Sequence, residues 1–230
     1  CDHAGNLLPE ALGDLGLPPE ELGRHIGIDI GALAVAEGVA ARLEAPLIYQ
    51  RYSRLVIDCN RIPRAADSMA EVADGTIVPG NQGLDERARR LRQAEILEPY
   101  HRRITSVLDA RAAAGRPTLL VSIHSFTPSL RARPTGRPWQ VGLCWHRDDR
   151  LSRLVVEELR SEAGLNVGEN EPYSVNMEVD YSIPFHGERR GIPYVEFEIR
   201  QDLLPDEAAA EAWAARLTRA LLAAADRLPA

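Results

Sequence analysis

The sequence predicts an α/β protein, a three-layer sandwich in which a mixed β-sheet is flanked by helices. From about residue 29 onward, short apolar segments rich in β-branched residues alternate with longer amphipathic segments. A chain of 230 residues is long enough to bury a substantial core as one domain. Because no internal repeat, linker or low-complexity tract interrupts the pattern, residues 1–230 are predicted to form a single domain.

Composition excludes several classes of protein. An apolar fraction of 45% and a charged fraction of 27% are typical of soluble globular proteins. The net charge of -7 and the lack of a basic stripe argue against a nucleic-acid partner, and no apolar run is long enough for a membrane span. Three widely spaced cysteines, Cys1, Cys59 and Cys144, favour a reducing cytoplasmic location over a disulfide framework. The oligomeric state is not predicted.

The first half of the chain is predicted to hold two helices and two strands. The opening residues Cys1–Asn6 are typical of the polar exit of a strand, and we expect the body of that strand to precede them. Apolar residues at helical spacing predict a helix over about Asp29–Arg42, which Asp29 is expected to cap. The other predicted elements are strands over Ala45–Tyr49 and Ser53–Arg61, an irregular loop over Ile62–Gly83 and a helix over Asp85–Ala114 kinked or split at Pro99.

The second half is predicted to supply three further strands and two helices. A β-rich segment over Pro117–Ser122 predicts a buried strand with His124 just beyond its end, and Pro128 would interrupt its hydrogen bonding. The other predicted elements are a loop over Leu130–Pro138, a strand over Trp139–Trp145, a helix over Leu151–Glu162, loops over Val167–Tyr173 and Tyr181–Gly191, a strand over Pro193–Arg200 and a helix over Asp206–Leu228.

Two of these strands carry polar side chains suited to a site. His124 follows a buried strand, at the edge where open α/β sheets bind ligands; the alternative is a buried histidine that only hydrogen-bonds a neighbouring loop. Alternation along the last strand places Glu196, Glu198 and Arg200 on one face. That face is expected to line either a site or solvent, because charged groups are costly to bury without partners.

Two distant histidines predict a metal site. His3 in the opening loop and His124 would supply two nitrogen ligands, and a carboxylate would complete a three-ligand zinc site open to water. Zinc lowers the pKa of bound water to about 7, so that Glu198 could take its proton. Asn60 and Arg61, at the polar end of a predicted strand, offer an amide donor and a bidentate guanidinium that suit a substrate carboxylate.

Eight ordered segments carry a resemblance to a known family. They are Cys1–Asn6, His25–Gly31, Ser53–Arg61, Pro79–Asn81, Ser122–Pro128, Arg137–Gly142, Gly168–Tyr173 and Val195–Asp202. Together they resemble the N-formylglutamate amidohydrolases, and the resemblance extends from the first residue to Trp213. That family is similar in turn to the zinc carboxypeptidases and aspartoacylases, which implies a mixed sheet flanked by helices.

The resemblance implies a bound Zn²⁺ or another divalent metal. The implied ligand histidines are His3 and His124. The related enzymes carry a glutamate three residues after the first histidine, where this sequence has Asn6. The third ligand is therefore expected to be Asp2, with Asn6 and Glu86 as alternatives.

The resemblance also implies roles for substrate-binding and catalytic residues. Glu198 corresponds to the catalytic glutamate, and Asn60 with Arg61 to the carboxylate clamp. Arg54 is expected to help stabilise the tetrahedral oxyanion. His186 is expected to line the pocket or bond the oxyanion, with a role in structuring its loop as the alternative. A dicarboxylate substrate needs a second clamp, for which the sequence offers Arg131 first, then Arg133, Arg189 and Arg190.

The implied activity is hydrolysis of N-formyl-L-glutamate, a small-molecule substrate, to formate and L-glutamate in histidine degradation. Two alternatives stay open. The same site would serve another N-acyl amino acid or a small peptide. A metal-free module that binds carboxylates without catalysis is the second alternative, since the expected glutamate is absent at position 6.

Overall fold

A computed structural model of the protein describes residues 1–229. The strands are β1 (Val72–Ala73), β2 (Thr76–Ile77), β3 (Leu120–Phe126), β4 (Val141–Cys144), β5 (Val167–Glu169) and β6 (Tyr194–Arg200). The α-helices are α1 (Pro19–Leu22), α2 (Ala32–Leu43), α3 (Glu86–Arg92), α4 (Glu98–Ala113), α5 (Arg150–Arg160) and α6 (Glu207–Ala225). Shorter 3₁₀ and π turns connect them.

The main sheet is mixed and has the strand order β3-β6-β4-β5. Strand β6 runs parallel to β3 and antiparallel to β4, and β4 runs parallel to β5. The strands are buried along nearly their whole length, as expected for a sheet covered on both faces. Strands β1 and β2 form a separate two-stranded hairpin.

Helices flank the sheet, which confirms the predicted α/β fold class. Helix α2 packs against β3, α5 packs against β4, β5 and β6, and α6 packs on both α2 and α5. Helix α4 contacts the π-helical turn Ile183–Gly187, which in turn contacts β3 and β6. A second apolar cluster joins α4 to the segments around Leu15, Leu55 and Val78. Among the helices of residues 1–229, none has the length and apolar character needed to cross a membrane.

The predictions of α2, α5, α6, β3, β4 and β6 are confirmed, with ends shifted by a few residues. Helix α6 begins after Asp206, whose carboxylate accepts a hydrogen bond from the backbone nitrogen of Ala209 at 2.8 Å. The predicted cap at Asp29 is wrong, because the residue that precedes α2 is Gly31, in the left-handed conformation. A Cβ at Gly31 would lie 2.6 Å from Cβ of Leu204, so this position needs glycine.

The strands predicted over 45–49 and 53–61 are wrong. Residues 45–50 are extended, and Gln50 donates a backbone hydrogen bond to the Cys1 carbonyl without forming a strand. Residues 53–61 form successive turns, in which the backbone nitrogen of Asn60 donates to the Asp58 carboxylate at 2.8 Å. Side-chain acceptors of this kind compete with strand pairing for backbone donors, which explains why an apolar segment turns here.

Three other predicted segments differ from the structure. The loop predicted over 62–83 contains the β1–β2 hairpin, and the loop predicted over 167–173 begins with β5. The predicted helix over 85–114 is continuous, because the π-helical turn Gln93–Leu97 joins α3 to α4. Pro99 lies two residues after this π-helical turn, whose altered hydrogen bonding accommodates the missing N–H, so it does not split the helix.

Candidate metal centre and active site

A polar cavity of about 490 Å³ lies beside β3 and β6. Its volume is in the range that holds small-molecule ligands. Of the residues named from the sequence, those that line it are His3, Arg54, Asn60, Arg61, His124, Glu196 and Glu198. The structure therefore brings together side chains from segments that are distant in the sequence.

Two neighbouring strands supply one side of the cavity. His124 on β3 is in register with Glu198 on β6, and Ser122 is in register with Glu196. Because register partners in adjacent strands project to the same face, His124, Glu196 and Glu198 lie side by side. All three are buried, and the predicted shared face of the two glutamates thus lines a site rather than solvent.

Turns supply the opposite side of the cavity. The backbone nitrogen of Asp29 donates to the His3 carbonyl at 3.0 Å, which joins the opening loop to the segment before α2. Ser53 Oγ donates to the Gly27 carbonyl at 2.8 Å and brings the 53–61 turns against the same segment. These bonds place His3, Asp29 and Asp58 next to one another.

His3, Asp29 and His124 form a candidate metal site, with one ligand atom from each residue within 4.8 Å of the others. Oδ2 of Asp29 lies 3.1 Å from Nδ1 of His3 and 2.7 Å from Nδ1 of His124. Two imidazoles and one carboxylate are the donor set of many three-ligand catalytic zinc sites. The grouping is compatible with a divalent metal ion.

The structure groups Asp29, rather than the predicted Asp2, with the two histidines. Oδ2 of Asp2 lies 3.3 Å from Nε2 of His124, whereas Asp29 contacts Nδ1 of the same ring. The two carboxylates therefore contact different nitrogens of the His124 ring. A metal ion bound to Nδ1 would lie next to Asp29, and Asp2 would lie at the far edge of the ring, next to Nε2. The alternatives are remote from the site: Asn6 donates to the Leu22 carbonyl, and Glu86 pairs with Arg90 on the exposed side of α3.

Carboxylate and hydroxyl groups orient both imidazoles from behind. Oδ1 of Asp58 lies 2.8 Å from Nε2 of His3, and Oγ of Ser122 lies 3.1 Å from Nε2 of His124. If Nε2 of His3 donates to the Asp58 carboxylate, Nδ1, the nitrogen turned toward Asp29, is left to bind a metal ion. Partners of this kind fix ring orientation in histidine-ligated metal sites.

The electrostatics of the site favour a bound cation. Five carboxylates are buried around the two imidazoles: Asp2, Asp29, Asp58, Glu196 and Glu198. Arg54 offsets part of this charge through ion pairs with Asp58 at 2.6 Å and Asp29 at 3.3 Å. Oε2 of Glu198 and Oδ2 of Asp2 are buried without a hydrogen-bond partner among residues 1–229. A divalent ion would compensate for this excess of buried negative charge.

The pKa shifts indicate the same preference. Burial disfavours the charged form of His124, but the adjacent carboxylates of Asp2 and Asp29 outweigh it and raise the pKa of His124. Burial raises the pKa of Glu196 to about 7. Burial, together with the charges of Asp29 and Glu196, raises the pKa of Glu198 well above the usual glutamate range. A site that holds protons this tightly is one in which a metal ion would be stabilised.

Asn60 and Arg61, the predicted carboxylate clamp, both line the cavity. Oδ1 of Asn60 accepts from the backbone nitrogen of Ser182 at 3.0 Å, which leaves the Asn60 amide hydrogens for a ligand. Arg61 uses Nη1 for Asp180 at 2.6 Å and Nε for Asp67 at 2.8 Å. Its Nη2 makes no hydrogen bond to the protein within residues 1–229.

Two predicted substrate-binding residues lie elsewhere. The side chain of Arg131 is 62% exposed and pairs with Glu21, away from the lining of the cavity. His186 is buried and bonds through Nε2 to Nδ1 of His101 at 3.0 Å, in a stack of rings. Burial lowers the pKa of His186 to about 4, as suits a neutral structural histidine.

The other arginines suggested as a second clamp are also engaged outside the cavity. Arg190 pairs with Asp109, and the guanidinium of Arg189 lies 3.9 Å from the centre of the Phe185 ring. Arg133 lies in an exposed loop. Whether an arginine reaches a pocket depends on its burial and on partners that are distant in the sequence. The loop sequences alone reveal neither the burial nor the partners.

Sequence reasoning missed four groups at the site. They are Asp29, Asp58, Asp180 and Tyr173. Two local signals could have found some of them: Asp58 lies two residues before Asn60 in the same segment, and Asp29 lies four residues after His25 in a glycine-rich motif. Asp180 and Tyr173 carry no comparable signal.

Comparisons with known proteins identify a family and related folds. The sequence model of the N-formylglutamate amidohydrolase family matches residues 1–204. The crystal structure of a gene product from Agrobacterium tumefaciens is similar over 98% of this chain and 88% of its own, with 36% identity and a TM-score of 0.93. A crystal structure of N-formylglutamate amidohydrolase from Ralstonia eutropha has 22% identity and a TM-score of 0.65 over 98% and 91% of the two chains, which supports the fold. No curated protein matches the chain.

Proposed function

We propose that this chain, which belongs to the N-formylglutamate amidohydrolase family, is a metal-dependent hydrolase of N-formyl-L-glutamate. The products would be formate and L-glutamate. The observation that carries the proposal is the convergence of His3, Asp29 and His124 beside Glu198, in one cavity with Asn60 and Arg61.

The substrate would be held by its amino-acid portion. The free amide hydrogens of Asn60 and Nη2 of Arg61 would bind the α-carboxylate in the cavity. This contact would direct the formyl group toward the side of the cavity formed by β3 and β6, where His124 and Glu198 lie in register. Fixing the amide in this way lowers the entropic cost of reaching the transition state.

A divalent cation at His3, Asp29 and His124 would polarise the formyl carbonyl and make a water molecule more acidic. With the cation bound, its positive charge would favour the ionised form of Glu198, which would accept a proton from the attacking water and return it to the departing amine nitrogen. The new C–O bond would form first and give a tetrahedral oxyanion, and the C–N bond would then break as the nitrogen takes the proton. The second proton of the water stays on formic acid, which ionises to formate. Arg54 lines the cavity and would hold Asp58 and Asp29 in position through its ion pairs.

Zinc is the proposed metal, because two imidazoles and one carboxylate form a typical zinc donor set. The proposal includes a role in histidine degradation, as the activity of the family suggests. It also includes a cytoplasmic location, which the three free cysteines support because thiols persist in reducing compartments.

Metal removal and readdition test the proposal. We expect formate release from N-formyl-L-glutamate to stop after chelation and to return with one Zn²⁺ per chain. Hydrolysis that is unaffected by chelation would contradict metal dependence. Retained binding of N-formyl-L-glutamate without any hydrolysis or bound metal would support the carboxylate-binding module. Faster hydrolysis of N-acetyl or longer acyl substrates would displace formylglutamate.

Two matched variants identify the third ligand. Asp29→Ala is expected to abolish stoichiometric metal binding, because it removes the carboxylate that contacts both Nδ1 atoms. Asp2→Asn is expected to weaken metal affinity by about tenfold to a hundredfold, as for other partners behind a ligand histidine. Loss of metal from Asp2→Asn with retention in Asp29→Ala would reverse the assignment. Metal content of protein purified without chelator is the measurement.

A further inference from the structure

We propose that Arg137 is the second carboxylate clamp and makes the site selective for acidic over neutral N-acyl amino acids. The inference deepens the proposed function and rests on it, since it assumes that the cavity binds an N-acyl amino acid. Arg137 lies in the segment between β3 and β4.

The first argument is charge balance among the arginines at the cavity. Arg54 is paired with Asp58 and Asp29, and Arg61 is paired with Asp180 and Asp67. Arg137, in contrast, forms no ion pair with any carboxylate of residues 1–229. Its charge is therefore the one left for an anionic ligand.

The second argument is position. Nη1 of Arg137 donates to the hydroxyl of Tyr173 at 2.8 Å and approaches the Thr127 carbonyl at 3.5 Å. Its guanidinium carbon lies 5.0 Å from the centre of the Tyr173 ring and 5.9 Å from that of Phe126. Tyr173, Thr127 and Phe126 all line the cavity, so the guanidinium lies against three residues of the cavity wall without being a lining group itself.

The third argument is that Arg137 is held in place before any ligand binds. Its backbone nitrogen donates to the Pro128 carbonyl at 3.1 Å, and its carbonyl accepts from Nη1 of Arg200 at 3.4 Å. The two aromatic rings support the guanidinium through cation–π contacts. A preorganised guanidinium loses little side-chain entropy when it binds a carboxylate.

The charge of the cavity makes such a clamp necessary. Asp180, Glu196 and Glu198 line the cavity and would repel a substrate with two carboxylates. Asn60 and Arg61 would hold one carboxylate, which leaves the side-chain carboxylate without a positive partner. His25 also lines the cavity, but burial lowers its pKa, so it supplies a hydrogen bond rather than a charge.

A pair of isosteric substrates tests the proposal. N-formyl-L-glutamate and N-formyl-L-glutamine differ at the side-chain terminus, where an amide replaces the carboxylate. We expect Arg137→Gln to lower kcat/KM for the acid by about tenfold to a hundredfold, mainly through KM, because a charge-assisted hydrogen-bond pair is lost. The amide substrate should change by less than about threefold, since it never used the charge. Arg137→Lys should retain an intermediate preference for the acid.

Arg131→Gln is the matched control, because it makes the same change in the same connecting segment at an arginine that pairs with Glu21 outside the cavity. Its acid-to-amide ratio should equal that of the parent. Thermal unfolding of each variant confirms that the fold is retained, and Arg137→Lys carries the test if the glutamine variant does not fold.

The outcomes separate the clamp from the proposed function. A parent protein that hydrolyses formylglutamate, with an unchanged acid-to-amide ratio in Arg137→Gln, overturns the clamp alone. An equal loss for both substrates likewise overturns it and assigns Arg137 a structural role. A parent that hydrolyses neither substrate overturns the proposed function and the clamp together.

Discussion

The candidate site has two halves that are built in different ways. The strand-borne half consists of His124, Glu196 and Glu198. The turn-borne half consists of His3, Asp29, Asp58, Asn60 and Arg61. Backbone pairing between β3 and β6 fixes the spacing of the first half, whereas side-chain hydrogen bonds between irregular segments fix the second.

The turn-borne half depends on buried polar side chains behind it. Nη1 of Arg92 donates to the Val56 carbonyl and to Oδ1 of Asn81, and its Nη2 donates to the Gly80 carbonyl. Asn81 in turn donates to the carbonyls of Leu55 and Ala70. The comparison teaches that changes in the strand-borne half should affect chemistry more than stability, and that changes behind the turns should affect both.

The largest effect is expected from Glu198→Gln, which tests the strand-borne half. Glutamine fills the same space but accepts no proton, so kcat for N-formyl-L-glutamate should fall by about a hundredfold to ten-thousandfold. The bound metal should be retained. Near-normal turnover would contradict the role of Glu198 as base.

The same variant gives a pH-dependent test of stability. Burial raises the pKa of Glu198 in the folded protein, so stability is lost as pH rises from the unfolded-state pKa toward the folded-state pKa. Glutamine has no such dependence. In chelator, the glutamine variant should therefore melt at a temperature equal to the parent at pH 4 and above it at pH 8. A lower melting temperature at pH 8 would show that the Glu198 charge is stabilised by groups other than the metal.

Arg92→Ala is the corresponding test of the turn-borne half. The change leaves the buried acceptors at Val56, Gly80 and Asn81 without their donor, so the free energy of unfolding should fall by about 3–5 kcal/mol. Turnover should fall too, because the turn that carries Asp58 loses its support. Denaturant unfolding measures the first effect. The matched control is Arg90→Ala, at an exposed pair with Glu86, which should cost about 0.5 kcal/mol or less.

Gly142→Ala tests where β4 meets the cavity wall, and a smaller effect is expected. A Cβ at Gly142 would lie 1.9 Å from the Glu171 carbonyl oxygen, in the segment that leads to Pro172 and Tyr173. The segment must move, so stability should fall by about 1–3 kcal/mol and KM should rise. Gly136→Ala is the control, because no heavy atom lies within 4 Å of its added Cβ and its effect should be within about 0.5 kcal/mol. Equal effects of the two changes would contradict the close approach.

The smallest effect is expected from Asp67→Asn at the outer edge of the turn-borne half. The Asp67 side chain is 58% exposed, and its ion pair with Arg61 should contribute less than about 1 kcal/mol. The unfolding free energy should hardly change. A fall in the unfolding free energy of more than about 1 kcal/mol would show that this exposed ion pair also supports the turn-borne half.

The strand-borne half could be largely predicted from the sequence. Alternation placed Glu196 and Glu198 on one face, and the short apolar segment before His124 predicted its strand. The register between β3 and β6 could not be predicted, since the two strands are separated by about seventy residues and pair through backbone groups common to all residues.

The turn-borne half was predicted less well, for physical reasons. Asp29 has the local pattern of a helix cap, but the close contact of Gly31 with Leu204, far along the chain, starts the helix later. The segment 53–61 has a strand-like sequence, but the Asp58 carboxylate turns it. Arg137 could not be distinguished from its neighbouring arginines, because the presence of an acidic partner is a property of the folded chain.

The pairing of β3 with β6 has a consequence for how enzymes of this kind diversify. Adjacent strands keep their axes about 4.8 Å apart whatever side chains they carry, so the distance between His124 and Glu198 is inherited with the backbone. Selectivity, in contrast, is proposed for Arg137, which contacts Tyr173, and both residues lie in connecting segments that tolerate replacement. Evolution or a protein engineer can exchange the acid-recognising residues for others and obtain a new substrate range while the hydrolytic pair remains intact.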